Sequence, residues 1–125
     1  MLVAGGFNGG AVQGKTINNT ELYDTDSGLW VQAPSLKHTR SGHTATLLSD
    51  GRVLVAGGFD TSFTGLYSAE IFSPASTTWV EITSMNKARA GHSATLFENG
   101  QVLMAGGFYL RSHPHNSVEI FNPES

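Results

Sequence analysis

Along this chain the apolar residues come in short runs separated by polar turns, and no segment keeps a helical period over ten residues. Residues 42–48, Gly-His-Thr-Ala-Thr-Leu-Leu, alternate small polar with apolar positions and end at Ser49-Asp50-Gly51. That is the two-residue period of a strand with one buried face. Residues 52–58, Arg-Val-Leu-Val-Ala-Gly-Gly, are almost continuously apolar, as in a strand covered on both faces. Residues 69–72, Ala-Glu-Ile-Phe, are short and half apolar, and residues 77–83 alternate again around Trp79. Asp50-Gly51, and later Asn99-Gly100, predict two-residue type I′ hairpins between the first two strands of each set. The pattern predicts an all-β chain.

The same pattern is written more than once. Leu-Val-Ala-Gly-Gly-Phe stands at 2–7 and again at 54–59, and Leu-Met-Ala-Gly-Gly-Phe at 103–108. Residues 30–48 laid over residues 79–97 agree at nine of nineteen positions, an offset of 49. The short strands that start at Glu21, Glu70 and Glu119 keep that offset, although the first copy carries three extra residues between Gly6 and Glu21. A period near 50 marks a solenoid, a propeller or an array. Each unit supplies four short strands, a, b, c and d, so the chain reads b-c-d, a-b-c-d, a-b-c. The units divide at 1–35, 36–84 and 85–125.

Four antiparallel strands in such a unit, with a di-glycine after strand b, an aromatic on strand c and a Trp on strand d, resemble the kelch repeat of β-propellers. The positions that carry the resemblance are Gly5, Gly6, Tyr23 and Trp30, then Gly57, Gly58, Phe72 and Trp79, then Gly106, Gly107 and Phe121. Phe stands for the usual Tyr in two units, which keeps the ring and drops its hydroxyl. Arg40–His43 and Arg89–His92, Arg-Ser-Gly-His and Arg-Ala-Gly-His, are similar to the segment leading into strand a of a kelch blade. The resemblance implies an all-β partial propeller of about two and a half blades with an open ring, since propellers close with about four to eight blades. A piece of a longer chain is expected over a self-assembled ring or a free-standing arc. Exposed blade faces and unpaired edges make further blades of the same chain, or self-association, the natural covering.

Composition narrows the function. The formal net charge is −3, and the basic residues are scattered singly. No field or patch of the kind nucleic acids need is present. No apolar run reaches the roughly 18–20 residues of a membrane span, and the first residues lack the basic and apolar regions of a signal peptide. The 125 residues include no cysteine, so disulfides, thiolate metal sites and cysteine nucleophiles are excluded.

In the fold that the resemblance implies, the b–c and d–a loops gather on one face. The b–c loops are expected over 8–20, 60–69 and 109–117, and they vary while the strands repeat, as recognition loops do. They offer Asp60, Phe63, Tyr67, Tyr109, Arg111, His113 and His115 as partner-binding candidates, and the d–a loops add Lys37, His38, Arg40, Lys87 and Arg89. His113-Pro114-His115 supplies two imidazoles, too few for a metal site without a third ligand, so no metal and no cofactor are assigned. Asp24-Thr25-Asp26-Ser27-Gly28 suggests a calcium loop but lacks the closing Glu, and a c–d hairpin turn explains it better. His43 and His92 recur in register and are expected to do one structural job in each unit. No nucleophile elbow or other catalytic set is present. The expected function is a non-catalytic binding or scaffold segment for a protein or glycan partner. The alternative is part of an oxidase-like or carbohydrate-active propeller enzyme whose catalytic residues lie elsewhere. The tyrosyl–cysteine cofactor of the galactose oxidases, which are kelch-like, would need a cysteine that this chain lacks.

Overall fold

The computed structural model describes residues 1–9, 14–110 and 112–124. Among them there is no helix, and therefore no helix long and apolar enough to cross a membrane. Three antiparallel sheets stand side by side as an open arc. Blade 1 holds β1 (Leu2–Asn8), β2 (Lys15–Asp24) and β3 (Leu29–Ala33), in that order. Blade 2 is a complete set: β4 (Thr44–Leu47), β5 (Val53–Ala56), β6 (Ala69–Ser73) and β7 (Thr78–Ile82). Blade 3 pairs β8 (Ser93–Leu96), β9 (Val102–Ala105) and β12 (Val118–Phe121), and its long b–c loop forms a small hairpin of its own, β10 (Phe108–Leu110) with β11 (His113–Pro114).

Three expectations about loops and turns are corrected. The hairpins at Asp50-Gly51 and Asn99-Gly100 are not type I′, which needs a positive φ at both central residues. Only the glycines have it, Gly51 at 90° and Gly100 at 86°. Gly51 N–H donates to Leu48 O and Leu48 N–H to Arg52 O. This is a three-residue loop, a type I turn closed by a glycine bulge, and Asp50 accepts the Arg52 N–H instead of entering the left-handed region. In blade 1 the stretch expected as a b–c loop over 8–20 is largely strand, because β1 continues through its di-glycine with a register shift between Ala4 and Gly6 and pairs as far as Asn8 with Lys15. The loop expected over 109–117 likewise holds most of the β10–β11 hairpin.

The kelch positions meet across strands. Tyr23 pairs with Trp30 and Phe72 with Trp79, and each pair of rings lies 5.1 Å apart. Trp79 is buried and its indole N–H donates to Pro34 O at 3.0 Å. The core lies between blades. Leu48, Leu54, Ile71, Met85, Val102, Met104 and Phe121 form one cluster between blades 2 and 3. Leu36, Val55, Phe72 and Trp79 form a smaller one toward blade 1.

The di-glycine explains why the apolar strand stops where it does. Gly57 and Gly58 have φ of 68° and 100°, in the left-handed region that a side chain avoids. A Cβ on Gly58 would sit 2.8 Å from Ser41 O, and one on Gly57 would run into Arg89 O. The space is used: Gly58 N–H donates to Arg89 O at 2.7 Å, and Gly6 N–H donates to Arg40 O at 2.8 Å. The di-glycines of blades 1 and 2 thus each receive the backbone of the linker that opens the next blade.

Candidate functional site

The d–a linkers fold around a buried ion pair. Arg40 is fully buried, and its guanidinium donates to Gly57 O at 2.6 Å, to Ser68 Oγ at 3.0 Å and to Glu70 Oε2 at 2.7 Å. The Glu70 carboxylate also accepts the backbone N–H groups of Lys37 and His38, at 2.6 and 3.3 Å. One repeat on, Glu119 accepts Asn86 N–H, Lys87 N–H and the Arg89 guanidinium, while Arg89 also reaches Gly106 O and Ser117. Burial lowers the Arg40 pKa, and its bond to Glu70 opposes that shift. Such charges survive burial only when paired; in Arg40 the pairing runs through the two terminal nitrogens, and Nε is buried without a partner among the described residues.

This arrangement removes two residues from the expected binding face. Arg40 and Arg89 were expected among the exposed cations; both are buried joints between linker and blade. Glu70 and Glu119 were missed as their partners. A signal was there, since a carboxylate stands at the same place in otherwise apolar strands 49 residues apart.

The remaining candidates fall into three groups. Tyr67, Lys87, Tyr109 and His115, with Asn86 and Ala88, line one cleft of about 370 Å³ between blades 2 and 3. The b–c loops of these blades are tied together beside it by Gly65 N–H donating to Tyr109 O at 2.7 Å. Tyr67 and Tyr109 are exposed, and Tyr109 lies against the rings of His113 and His115 at 5.3 and 6.4 Å. His115 is held at both nitrogens, with Nε2 3.1 Å from Ala88 O and Nδ1 2.8 Å from Ser117 Oγ. A carbonyl can only accept, so Nε2 donates to Ala88 O. The imidazole is therefore a fixed wall of the cleft, whereas the Lys87 side chain is exposed.

The second group lies elsewhere. Asp60 Oδ1 accepts from Ser62 N–H and Thr64 N–H at 2.8 and 3.0 Å, closing its own loop. Phe63 packs with Phe7 and Phe59 at 6.1 and 6.3 Å, bridging blades 1 and 2. Lys37 and His38 sit on the first linker, where His38 Nε2 lies 3.1 Å from Glu81. The third is Arg111, which lies outside the described residues.

The two recurrent histidines occupy the same place in successive joints. A Cβ on Gly5 would meet His43 Cε1 at 3.0 Å, and one on Gly57 would meet His92 Cε1 at 2.9 Å. His92 Nε2 also bonds Thr44 Oγ1 on the preceding blade at 2.9 Å. Burial, with Arg89 beside it, pushes the His92 pKa down to about 4, and burial lowers that of His43 in the same way. The Asp24–Gly28 segment is a hairpin turn closed by Gly28 N–H to Asp24 O, as Thr77 N–H to Ser73 O closes its counterpart. Among the described residues no three His, Cys, Asp or Glu side chains are grouped to hold a metal ion.

Comparison with known proteins agrees with this architecture. The family model described as the Kelch motif matches residues 1–37 and 40–86, so the chain belongs to the kelch-repeat family. A search of curated proteins found no match.

Proposed function

Taking kelch repeats, whose general role is protein interaction, as the premise, we propose that this chain is a binding module whose partner docks in the cleft between blades 2 and 3. One observation carries the reading. Four residues from three separate loops, Tyr67, Lys87, Tyr109 and His115, converge on a single concavity. Two exposed tyrosines beside an exposed lysine are the composition of a recognition surface: rigid aromatic area with a single charge for orientation. A protein segment with an apolar side chain and a carboxylate suits it, the ring faces taking the first and the Lys87 ammonium the second. Tyr109 is buttressed by its histidine neighbours, so little side-chain entropy is lost on binding.

Selection of a displayed random-peptide library on the wild-type chain tests this. The selected peptides should lose at least tenfold in affinity for a Lys87→Glu/Tyr109→Ala double variant of unchanged melting temperature. Peptides that bind wild type and double variant equally would place recognition elsewhere. Selective capture on a glycan array, with no peptide selected, would replace the protein partner with a carbohydrate.

A further inference from the structure

The b–c loop of blade 2, residues 60–65, touches the blades on both sides of it. At its tip Phe63 packs against Phe7 of blade 1, with ring centroids 6.1 Å apart, and against Phe59 at the base of its own loop at 6.3 Å. At its far end Gly65 is buried, and its N–H donates to Tyr109 O of blade 3 at 2.7 Å. Thr64 bridges to Leu110 beside it. A Cβ on Gly65 would lie 2.6 Å from Tyr109 O and 2.9 Å from Tyr109 Cα, so the two backbones meet with no room for a side chain.

Phe63 holds its place against a backbone preference. Its φ is 58°, in the left-handed region where a bulky side chain is strained. Asp60 imposes the turn: its Oδ1 accepts the N–H groups of Ser62 and Thr64, its carbonyl accepts Phe63 N–H, and its own N–H donates to Thr64 O. Such a turn asks for Asn or Gly at the left-handed position. Neither would carry a ring to Phe7. Strain of this kind persists where the surrounding structure enforces it, and it gathers at sites that are held ready for a ligand.

We propose that residues 60–65 form a strap across three blades, in which Phe63 is the residue that positions Tyr109 in the cleft between blades 2 and 3. The inference rests on the reading of that cleft as the docking site. The ring packed between Phe7 and Phe59 fixes the tip of the strap, the Asp60 turn keeps it short and stiff, and Gly65 passes its position to the main chain of Tyr109. Strand β10 is anchored at Phe108 by the linker, through Ala90, and at Tyr109 and Leu110 by the strap. Without the strap, the end of β10 that carries Tyr109 is left to the first anchor alone. A ring set in place before the partner arrives loses less freedom on binding.

Phe63→Asn separates the ring from the turn, since Asn takes the left-handed φ readily and leaves the loop closed. Amide hydrogen exchange of the whole chain, read residue by residue by NMR, reports on the strap without any ligand. In this variant the Gly65 amide should exchange about tenfold faster, while the amide of buried Leu48, bonded to Arg52 O, keeps its wild-type rate. Phe63→Tyr keeps the ring and should restore wild-type protection at Gly65. Peptides selected on the wild-type chain should bind the Phe63→Asn chain about fivefold more weakly, the scale of one lost backbone hydrogen bond. Gly65→Ala, which meets Tyr109 directly and leaves Phe63 in place, should weaken them at least as much. Equal exchange at Gly65 in the wild-type and Phe63→Asn chains, a matching acceleration at Leu48, or equal peptide affinity for the two chains would overturn the strap. If the library yields no peptide, the cleft reading fails, and the exchange rates alone then decide whether Phe63 holds Tyr109.

Discussion

The joint between blades 2 and 3 and the joint between blades 1 and 2 are built from equivalent positions, but they differ in how they are filled. In the first, Leu48 packs in one cluster with Leu54, Val102 and Phe121, and Glu70 on the preceding blade is locked by Arg40. In the second, Leu2 and Leu22 are only partly covered, Leu47 stands in solvent, and Glu21 is unpaired among the described residues. The backbone latch is the same in both, since Gly6 and Gly58 each donate to an arginine carbonyl. Main-chain complementarity is therefore common to every joint, while the side-chain contribution depends on whether strand a is present on the preceding blade. Identical sequence positions can be core in one unit and surface in the next.

Four measurements sharpen or break that contrast. The largest effect is expected from Glu70→Ala, which strands the fully buried Arg40 guanidinium. It should cost about 3–5 kcal/mol in urea denaturation, against no more than about 0.5 kcal/mol for the exposed Glu21→Ala. Similar losses would mean that Glu21 is already engaged. Next, Leu48→Ala should lose about 2–4 kcal/mol through its cavity, while its neighbour Leu47→Ala loses less than about 1 kcal/mol; equal values would show that Leu47 is covered in solution.

Acid should discriminate between the joints as well. His92 binds its proton near pH 4 in the folded chain and near the ordinary histidine value of about 6.5 when unfolded. Between those values the unfolded state holds more protons, so stability is full above about pH 6.5 and declines as pH falls toward 4, by up to about 3 kcal/mol. The variant His92→Gln, which keeps a donor for Thr44, should flatten melting temperature against pH over that window. If the slope survives in this variant, it arises from other groups, with His43 the next to replace. The smallest contrast is between the tryptophans. Trp79→Phe removes a part-buried hydrogen bond to Pro34 and should cost about 1–2 kcal/mol, whereas Trp30, 49% exposed, should tolerate the same change within about 0.5 kcal/mol. Thermal melts of the two variants measure the difference.

The repeated strands and aromatic–Trp pairs were legible in the sequence because each blade sets the same packing problem. Two kinds of detail were not. The hairpin type depends on φ at Asp50 and Asn99, and an Asp-Gly or Asn-Gly pair is compatible with either the two-residue or the three-residue loop. The site was legible only in part for a different reason. Tyr67, Lys87, Tyr109 and His115 could be named from loop position, but loop position also named Arg40 and Arg89, which turn inward because Glu70 and Glu119 wait beneath them. A cation's direction is decided by a carboxylate thirty residues away, and only a paired reading of both repeats would have connected them.

The arginine joint has a consequence for how such an array grows. Each linker offers its carbonyl to the blade behind and its guanidinium to the blade it opens, so one repeat carries a plug at one end and a socket at the other. Tandem duplication of the coding segment for one such unit delivers a matched joint with every copy. Blade number can change in one genetic step, while the loops above the joints remain free to diverge.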